Sequence, residues 1–473
     1  MAKGKKKEVL TLEERLQAAL VPESEQPYQV PGNWCWVKLN SICELERGIT
    51  FPASAKESEL TSSNIPCLRT ANIQDKLEIE DLIFVDKNYM KGDISKLIRR
   101  DDIIMSSANS RELVGKTSYI YNVPYPMTFG GFLLTIRPQN ILSKYVFYFL
   151  RLEFVSGHFM GESTQTTNIA NINTAKLGNC FIPLPSFHEQ QRVVERIESL
   201  FAKLDEARQK VQDVLDSFES RRAAILHKAF SGELTAQWRK EHGVGMEEWI
   251  DTVLSKVVTG FKYGTSEKSD YSYAGMPVFR IPNITENGLS FEDMKFLPHY
   301  DVKEESQIHE NDILIIRSNG SRDLVGKSVL VPKLDVSYAY ASFLIKIKPS
   351  AAIVPDFLVL YLNSTGARVQ MFKKAKSSVG INNINAKELG GIALKIPSIQ
   401  EQSKVVHVLD DLFAKERQVK EASETVLEQI DLIKKSILAR AFRGELGTND
   451  PAEESALELI KQTLSETIAN NGK

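Results

Sequence analysis

The sequence predicts an α+β protein: two mixed α/β globular domains joined by two long antiparallel coiled-coil helices, in a dumbbell with pseudo-two-fold symmetry. Three observations predict it. The chain repeats itself at a nearly constant offset. Each copy opens on a region of short strand-like runs, and each closes on a long stretch of apolar residues at heptad spacing.

The repeat is direct. "SRELVGKTSYI" from Ser110 and "SRDLVGKSVLV" from Ser321 nearly coincide, 211 residues apart. "IPCLRTANIQD" matches "MPVFRIPNITE", "DDIIMSSANS" matches "NDILIIRSNGS", and "LTIRP" matches "IKIKP". Further on, "NIANINTAKL" matches "GINNINAKEL", "LPSFHEQQRVV" matches "IPSIQEQSKVV", and "KAFSGEL" matches "RAFRGEL", now 212 apart. An offset held over roughly 170 residues marks a tandem duplication.

Residues 1–27 read as a basic tail, "MAKGKKKEVL", followed by a short helix, "LTLEERLQAAL". No apolar h-region follows the basic stretch, so it is not a secretory signal. Residues 28–184 and 246–396 read as the two globular domains. Their strand-like runs are "DIIMSS" and "GFLLTI" in the first, "DILIIR" and "SFLIKI" in the second. Each also holds one helix-like run, "KYVFYFLRLEFV" and "DFLVLYLNSTGARVQMF". Residues 185–245 form a central helix and linker, 397–447 a distal helix, and 448–473 a C-terminal tail. Pro185–Ser186 and Pro397–Ser398 open the helices with a capping serine, and Gly232 and Gly444 close them. The first seam runs Val193, Ile197, Leu200, Leu204, Ala207, Val211, Val214, Phe218, Ile225. The second runs Val405, Leu409, Leu412, Val419, Val426, Ile430, Ile433, Ile437, broken by Glu416 and Ser423. About 43 residues at 1.5 Å each give a helix of ~65 Å. The alternative is that each helix packs on its own domain. Two equal-length seams in one chain are natural partners, and the domain between them lets the second run back along the first.

Composition narrows the function. A chain of 473 residues with 42% hydrophobic and 25% charged residues reads as a soluble protein of several domains. It has no apolar run of the roughly 20 residues that cross a bilayer. A net charge of −2 argues against a uniformly basic nucleic-acid binder and leaves local basic surfaces open. The four cysteines form no C-x-x-C pair, which fits free thiols in a cytoplasmic protein. The seven histidines show no metal-ligand spacing, so no metal site is expected.

The Gly-Lys-Thr and Gly-Lys-Ser endings raise the question of nucleotide binding. A phosphate loop needs a glycine five positions before the Gly-Lys pair, where Ser110 and Ser321 stand. It also needs a helix at the lysine, whereas "TSYIYNV" and "SVLVP" are strand-like. The element therefore reads as strand–turn–strand. No N-P-P-[YF] motif is present for holding an extruded adenine; "NVPY" has Val123 where proline is required. No glycine-rich loop follows a strand to hold a methyl donor. The chain is thus expected to be non-catalytic, with no catalytic residue and no cofactor of its own.

Two related but diverged domains at fixed separation suit a ligand with two recognition points, such as duplex DNA with two half-sites. The candidate contacts are short polar side chains and arginines that read base edges. In the first domain these are Arg69, Asn72, Ser107, Asn109, Ser110 and Arg111; in the second, Arg280, Asn283, Arg317, Asn319, Ser321 and Arg322. Lys116, Lys327, Lys373, Lys374 and Lys376 are assigned to phosphates. Taken singly, a Ser-Asn-Gly loop is more often a self-capping turn. Two other classes stay open: a scaffold whose coiled coil joins two protein-binding domains, and a self-contained DNA methyltransferase.

The chain resembles the specificity subunit of type I restriction–modification systems. The features that carry the resemblance are two variable regions, each followed by P-S-x-x-E-Q (Pro185 to Gln190, Pro397 to Gln402), the coiled-coil helices, and "AFSGELTAQWR" from Ala229. It covers residue 28 to the end. The resemblance implies that each variable region is a target-recognition domain reading half of a bipartite site, with the helices as a ruler. It also implies two modification subunits that carry S-adenosylmethionine and methylate adenine N6, joined by restriction subunits that use ATP and Mg. No membrane partner is implied. The second repeat departs at its end, where "GELGTNDPAEE" replaces "GELTAQWR".

Overall fold

The computed structural model describes residues 11–162, 164–166, 169–378 and 381–471. The chain divides into two compact units, Met1–Lys210 with Val426–Lys473, and Val211–Thr425. Each unit joins one globular domain to segments of both long helices.

In the first unit, strands Cys43–Arg47, Leu133–Pro138, Ile103–Ser106 and Thr117–Tyr119 form an antiparallel sheet in that order. The runs "DIIMSS" and "GFLLTI" supply its two central strands. Both strands are buried on both faces: Ile103–Ser106 is apolar on each, whereas Leu133–Pro138 sets Thr135 and Arg137 on its second face, where Arg137 pairs with buried Asp102 at 2.9 Å. Ile103, Met105, Leu134 and Ile136 enter the larger core with helix Ser143–Val155, while Ile104 and Leu133 enter a second core. A smaller sheet orders Ile83–Asp86, Asn64–Leu68 and Thr128–Phe129, the last pair parallel. Strand Cys35–Lys38 pairs antiparallel with Phe181–Leu184 and so draws the ends of the domain together.

The second unit repeats the plan. Its main sheet orders Val258–Tyr263, Leu344–Pro349, Ile313–Ile316 and Ser328–Leu330. Its smaller sheet orders Lys295–Phe296, Pro277–Phe279 and Ala339–Tyr340, again with the last pair parallel. Ile250–Val253 pairs with Ala393–Ile396 to close the domain.

The helices span Phe187–Phe230 and Ile399–Phe442, 44 residues each. Ser186 Oγ accepts the Glu189 amide at 3.2 Å and Ser398 Oγ accepts the Glu401 amide at 3.3 Å, so both serines cap. Gly232 and Gly444 follow the helices with φ of 81° and 73°, left-handed values that suit glycine. Within the first unit the helices run antiparallel: Asp205 pairs with Lys434 and, one turn on, Arg208 pairs with Asp431. Within the second unit they are again antiparallel: the Arg222 guanidinium lies over the Phe413 ring, and Thr235, beyond the end of the first helix, donates to Glu401 at the start of the second.

The motifs that recur in both repeats tie the domains to the helices. The glutamine of P-S-x-x-E-Q ties helix to domain. Gln190 accepts the Leu142 amide at 2.9 Å and Gln402 accepts the Val354 amide at 2.8 Å, in each case the N-cap of a domain helix. The phenylalanine before S/R-G-E-L closes the same joint from the other long helix. Phe442 lies edge-on to Tyr145 and Phe149 in the first unit, and Phe230 lies edge-on to Phe357 and Tyr361 in the second. Each domain is therefore held by the start of one long helix and the end of the other.

Four expectations are corrected. The heptad seam is not buried throughout: Val193, Ile197, Val405 and Leu409, which also pack into a domain core, are buried, whereas Val214, Val419, Val426 and Ile433 are exposed; a two-helix seam without a domain over it leaves its flanks in solvent. The run "DFLVLYLNSTGARVQMF" is two helices, Pro355–Leu362 and Thr365–Lys374, because Ser364 caps the second. Residues 448–473, read as a tail, contain helix Ala456–Asn471, which packs on helix Leu12–Ala19. The offset is not constant either. Ile103 pairs with Ile136 and Ile313 with Ile347, so the loop after the third strand carries one extra residue in the second domain.

Candidate nucleic-acid interface

The Gly-Lys turns sit at one end of each main sheet. The Gly115 amide donates to Ser106 O at 2.8 Å and the Gly326 amide to Ile316 O at 2.7 Å. Both glycines have φ of 88°, and a Cβ at either would run into Phe159 or Met371. Strands Thr117–Tyr119 and Ser328–Leu330 follow them, where a phosphate loop would start a helix. The strand–turn–strand reading describes the element, since a strand and not a helix follows each lysine.

The loop before each glycine is held from two sides. Strand Ala108–Asn109 pairs with Ile169–Asn171 of a hairpin, and Ser318–Asn319 pairs with Ile381–Asn383 of the equivalent hairpin. On the other side, the Ser107 amide donates to Phe132 O at 2.9 Å, and the Arg317 amide to Phe343 O at 3.0 Å. Ser107 and Arg317 are therefore equivalent. Asn109 Oδ1 accepts the Ser110 amide and Asn319 Oδ1 accepts the Ser321 amide, both at 2.8 Å. In the second domain this is the self-capping turn that a Ser-Asn-Gly loop favours; in the first, without the glycine, Asn109 caps the next residue. The caps leave Ser110, Arg111, Ser321 and Arg322 exposed at the tip. Arg322 is oriented by Phe372, whose carbonyl accepts from it at 3.2 Å.

Not every candidate can reach a ligand. Asn72 and Asn283 are 3% and 1% exposed. Each accepts the amide of its arginine neighbour, Arg69 or Arg280, and donates into the following loop. With both ends of the amide used, these asparagines shape the backbone of the loop. Ser107 is buried as well. Arg69 and Arg280 form equivalent ion pairs with Asp81 and Asp293, at 2.9 and 3.1 Å, which offset part of their charge. Lys116 Nζ donates to the neutral Gln74, whereas Lys327 Nζ lies 3.7 Å from the Glu286 carboxylate. Lys373 and Lys374 are exposed at the end of helix Thr365–Lys374. The Lys376 side chain lies outside the described residues.

Residues missed by the sequence reading stand beside the loop in each domain. Arg47 and Phe132 line an open concavity of about 400 Å³ in the first domain, with Phe51, Lys56 and Arg69. Tyr263, in Arg47's place in the second domain, lies 4.8 Å beneath the Arg317 guanidinium. Among the described residues no cluster of three His, Cys, Asp or Glu could hold a metal, and no helix is long and apolar enough to cross a membrane. The four cysteines are free.

Two sheet domains that present the same polar loop, each anchored to a helix pair, define a tandem recognition chain. The family of type I restriction modification DNA specificity domains matches residues 31–215 and 247–429. The chain belongs to this family and carries two copies of its DNA-specificity domain. It is 27% identical over 460 residues to the EcoKI specificity subunit of Escherichia coli K12, covering 94% of this chain and 98% of that one. It is also 27% identical over 458 residues to the StySPI specificity subunit of Salmonella potsdam, at 94% and 98% coverage. Among solved structures, it matches a chain of a type I R-M system with a TM-score of 0.65 and 18% identity, over 89% of this chain and 100% of that one. It matches the HsdS subunit of Thermoanaerobacter tengcongensis with a TM-score of 0.56 and 18% identity, at 89% and 100% coverage. These likenesses support the DNA-specificity reading over the scaffold and self-contained methyltransferase readings.

Proposed function

We propose that each domain reads one half of a bipartite duplex site, with the long helices setting the unspecified gap between the halves. The observation that carries this reading is the loop built twice: capped by Asn109 or Asn319, fixed by a hairpin, and exposing Ser110–Arg111 or Ser321–Arg322 at its tip. Short donors beside an arginine suit base edges in a major groove. Lys116, Lys327, Lys373, Lys374 and Lys376 serve phosphates, and Arg69 and Arg280 support the loops through their aspartates. Asn72, Asn283 and Ser107 are positioning residues. The chain itself holds no cofactor in this reading. Two modification subunits carrying S-adenosylmethionine dock on the helices and methylate adenine N6. Restriction subunits supply ATP- and Mg-dependent cleavage, and the assembly works in the cytoplasm.

The test is an exchange of residues 28–184 for the first domain of another family member, followed by methylation mapping of host DNA. One half-site changes and the other stays. A change in both halves together would overturn the modular reading.

A further inference from the structure

An apolar side chain left in solvent is ordinarily uninformative. Phe132 and Phe343 differ because they occupy the same position in two diverged domains. Phe132 is 59% exposed and Phe343 is 55% exposed. Each directly precedes a central strand, Leu133–Pro138 or Leu344–Pro349. Each carbonyl anchors the polar loop: Phe132 O takes the Ser107 and Ala108 amides at 2.9 and 3.3 Å, and Phe343 O takes the Arg317 amide at 3.0 Å. The ring therefore stands at a fixed place beside the loop.

A guanidinium accompanies each ring. Arg47 Nε donates to Gly131 O at 3.0 Å, and Arg317 Nη1 donates to Ser342 O at 3.2 Å. Those carbonyls belong to the residues just before Phe132 and Phe343. The two arginines come from different strands. Arg47 ends Cys43–Arg47, whereas Arg317 follows Ile313–Ile316 and rests on Tyr263. Arg317 Nε is also buried without a hydrogen-bond partner. The aromatic–guanidinium pair thus recurs although its source has changed. Folding does not require it, since neither ring is buried. A ligand that shows apolar surface next to polar edges does, and a DNA base pair is such a ligand: it offers the thymine methyl group in the major groove or, where an apolar wedge opens a base step, a ring face.

We propose that Phe132 and Phe343 are apolar base contacts, one per half-site, each acting beside the guanidinium of Arg47 or Arg317. This rests on the DNA reading above. The test uses the full chain purified with its modification subunits and a pool of randomised duplexes. The parent complex enriches a bipartite motif. Phe132→Ala loses preference at one position of one half-site, and Phe343→Ala does so in the other. Affinity for the parent motif falls on the order of tenfold in each case. Phe132→Leu, which keeps an apolar contact, retains most of the preference. Both rings being more than half exposed, the alanine variants keep the fold, which circular dichroism checks. Replacing thymine by uracil at the affected position separates the two chemistries. Loss in the parent but not in Phe132→Ala marks the methyl group, and tolerance by both marks the ring face. A parent motif unchanged in both alanine variants, or weakened equally in both half-sites by either, overturns this proposal alone. A parent that enriches no motif overturns it together with the DNA reading.

Discussion

Glu189 and Glu401 occupy the same buried position at the start of the two long helices, and different groups satisfy them. Glu401 accepts from Thr235, Arg239 and Trp249. Glu189 accepts from Thr448 and Arg192, and Arg192 also reaches Glu453 at 2.7 Å. Burial raises the pKa of Glu189, while Arg192 and then Ser186 hold Glu453 down at about 2. A carboxylate whose pKa is depressed on folding stabilises above its unfolded value and loses that stabilisation as pH falls through its folded value. The first unit should therefore lose stability between pH 4.5 and 2 as Glu453 protonates. Glu453→Gln should flatten that slope and lower stability at neutral pH by ~1–2 kcal/mol, discounted for the partly exposed Arg192. Thermal melts across the pH range check both. The two turn lysines make a second contrast. Lys116 faces a neutral amide and Lys327 a carboxylate. Lys116→Ala should weaken binding to all duplexes about equally and flatten the salt slope by ~1, and Lys327→Ala should do so by less. Salt titrations of both variant complexes measure the difference. A parent-like slope in Lys116→Ala would remove it from the phosphate contacts.

At the scale of elements, the end of the chain is a working part of the first unit. Helix Ala456–Asn471 places Ala456, Ile460 and Leu464 in buried positions, the last two within the main core of that unit. The Ala456 amide donates to Asn33 O at 3.0 Å, and the Trp34 indole donates to Asn449 at 3.2 Å. Thr448 stands to Glu189 as Thr235 stands to Glu401, so "GELGT" does the work of "GELT" despite its extra glycine. Ile460→Ala should destabilise the first unit by about 2–5 kcal/mol, the range for truncating a fully buried isoleucine. Denaturant unfolding would show it as a lower midpoint for one transition. An unchanged midpoint would mean the helix does not contribute to the core.

For the whole molecule, the duplication matters because each unit draws on both long helices. A change in helix length therefore bears on both recognition domains at once. Inserting four residues inside helix Phe187–Phe230, near Lys210 where one unit gives way to the other, adds about 6 Å of helix at 1.5 Å per residue. The expected result is a longer unspecified gap with both half-sites intact, read by methylation mapping. An unchanged gap would place control of the spacing elsewhere.

The repeat, the paired helices and their caps were legible in the sequence, because periodicity and capping are local properties. Ser186, Ser398, Gly232 and Gly444 behave as their residue types require wherever a helix begins or ends. The central strands were legible for the same reason: a run such as "DILIIR" is apolar on both faces only if both faces are covered. Side-chain roles were not. Asn72 and Arg111 look alike as polar candidates in a string of letters. One is 3% exposed inside a turn and the other is open to solvent. Arg47 carried no signal, since its meaning comes from Gly131, a residue that the sheet brings to it from 84 positions away. The residues of each loop are set by neighbours in sequence. What those loops can touch is set by strand pairing, hairpin register and burial, and those contacts exist only once distant segments pack.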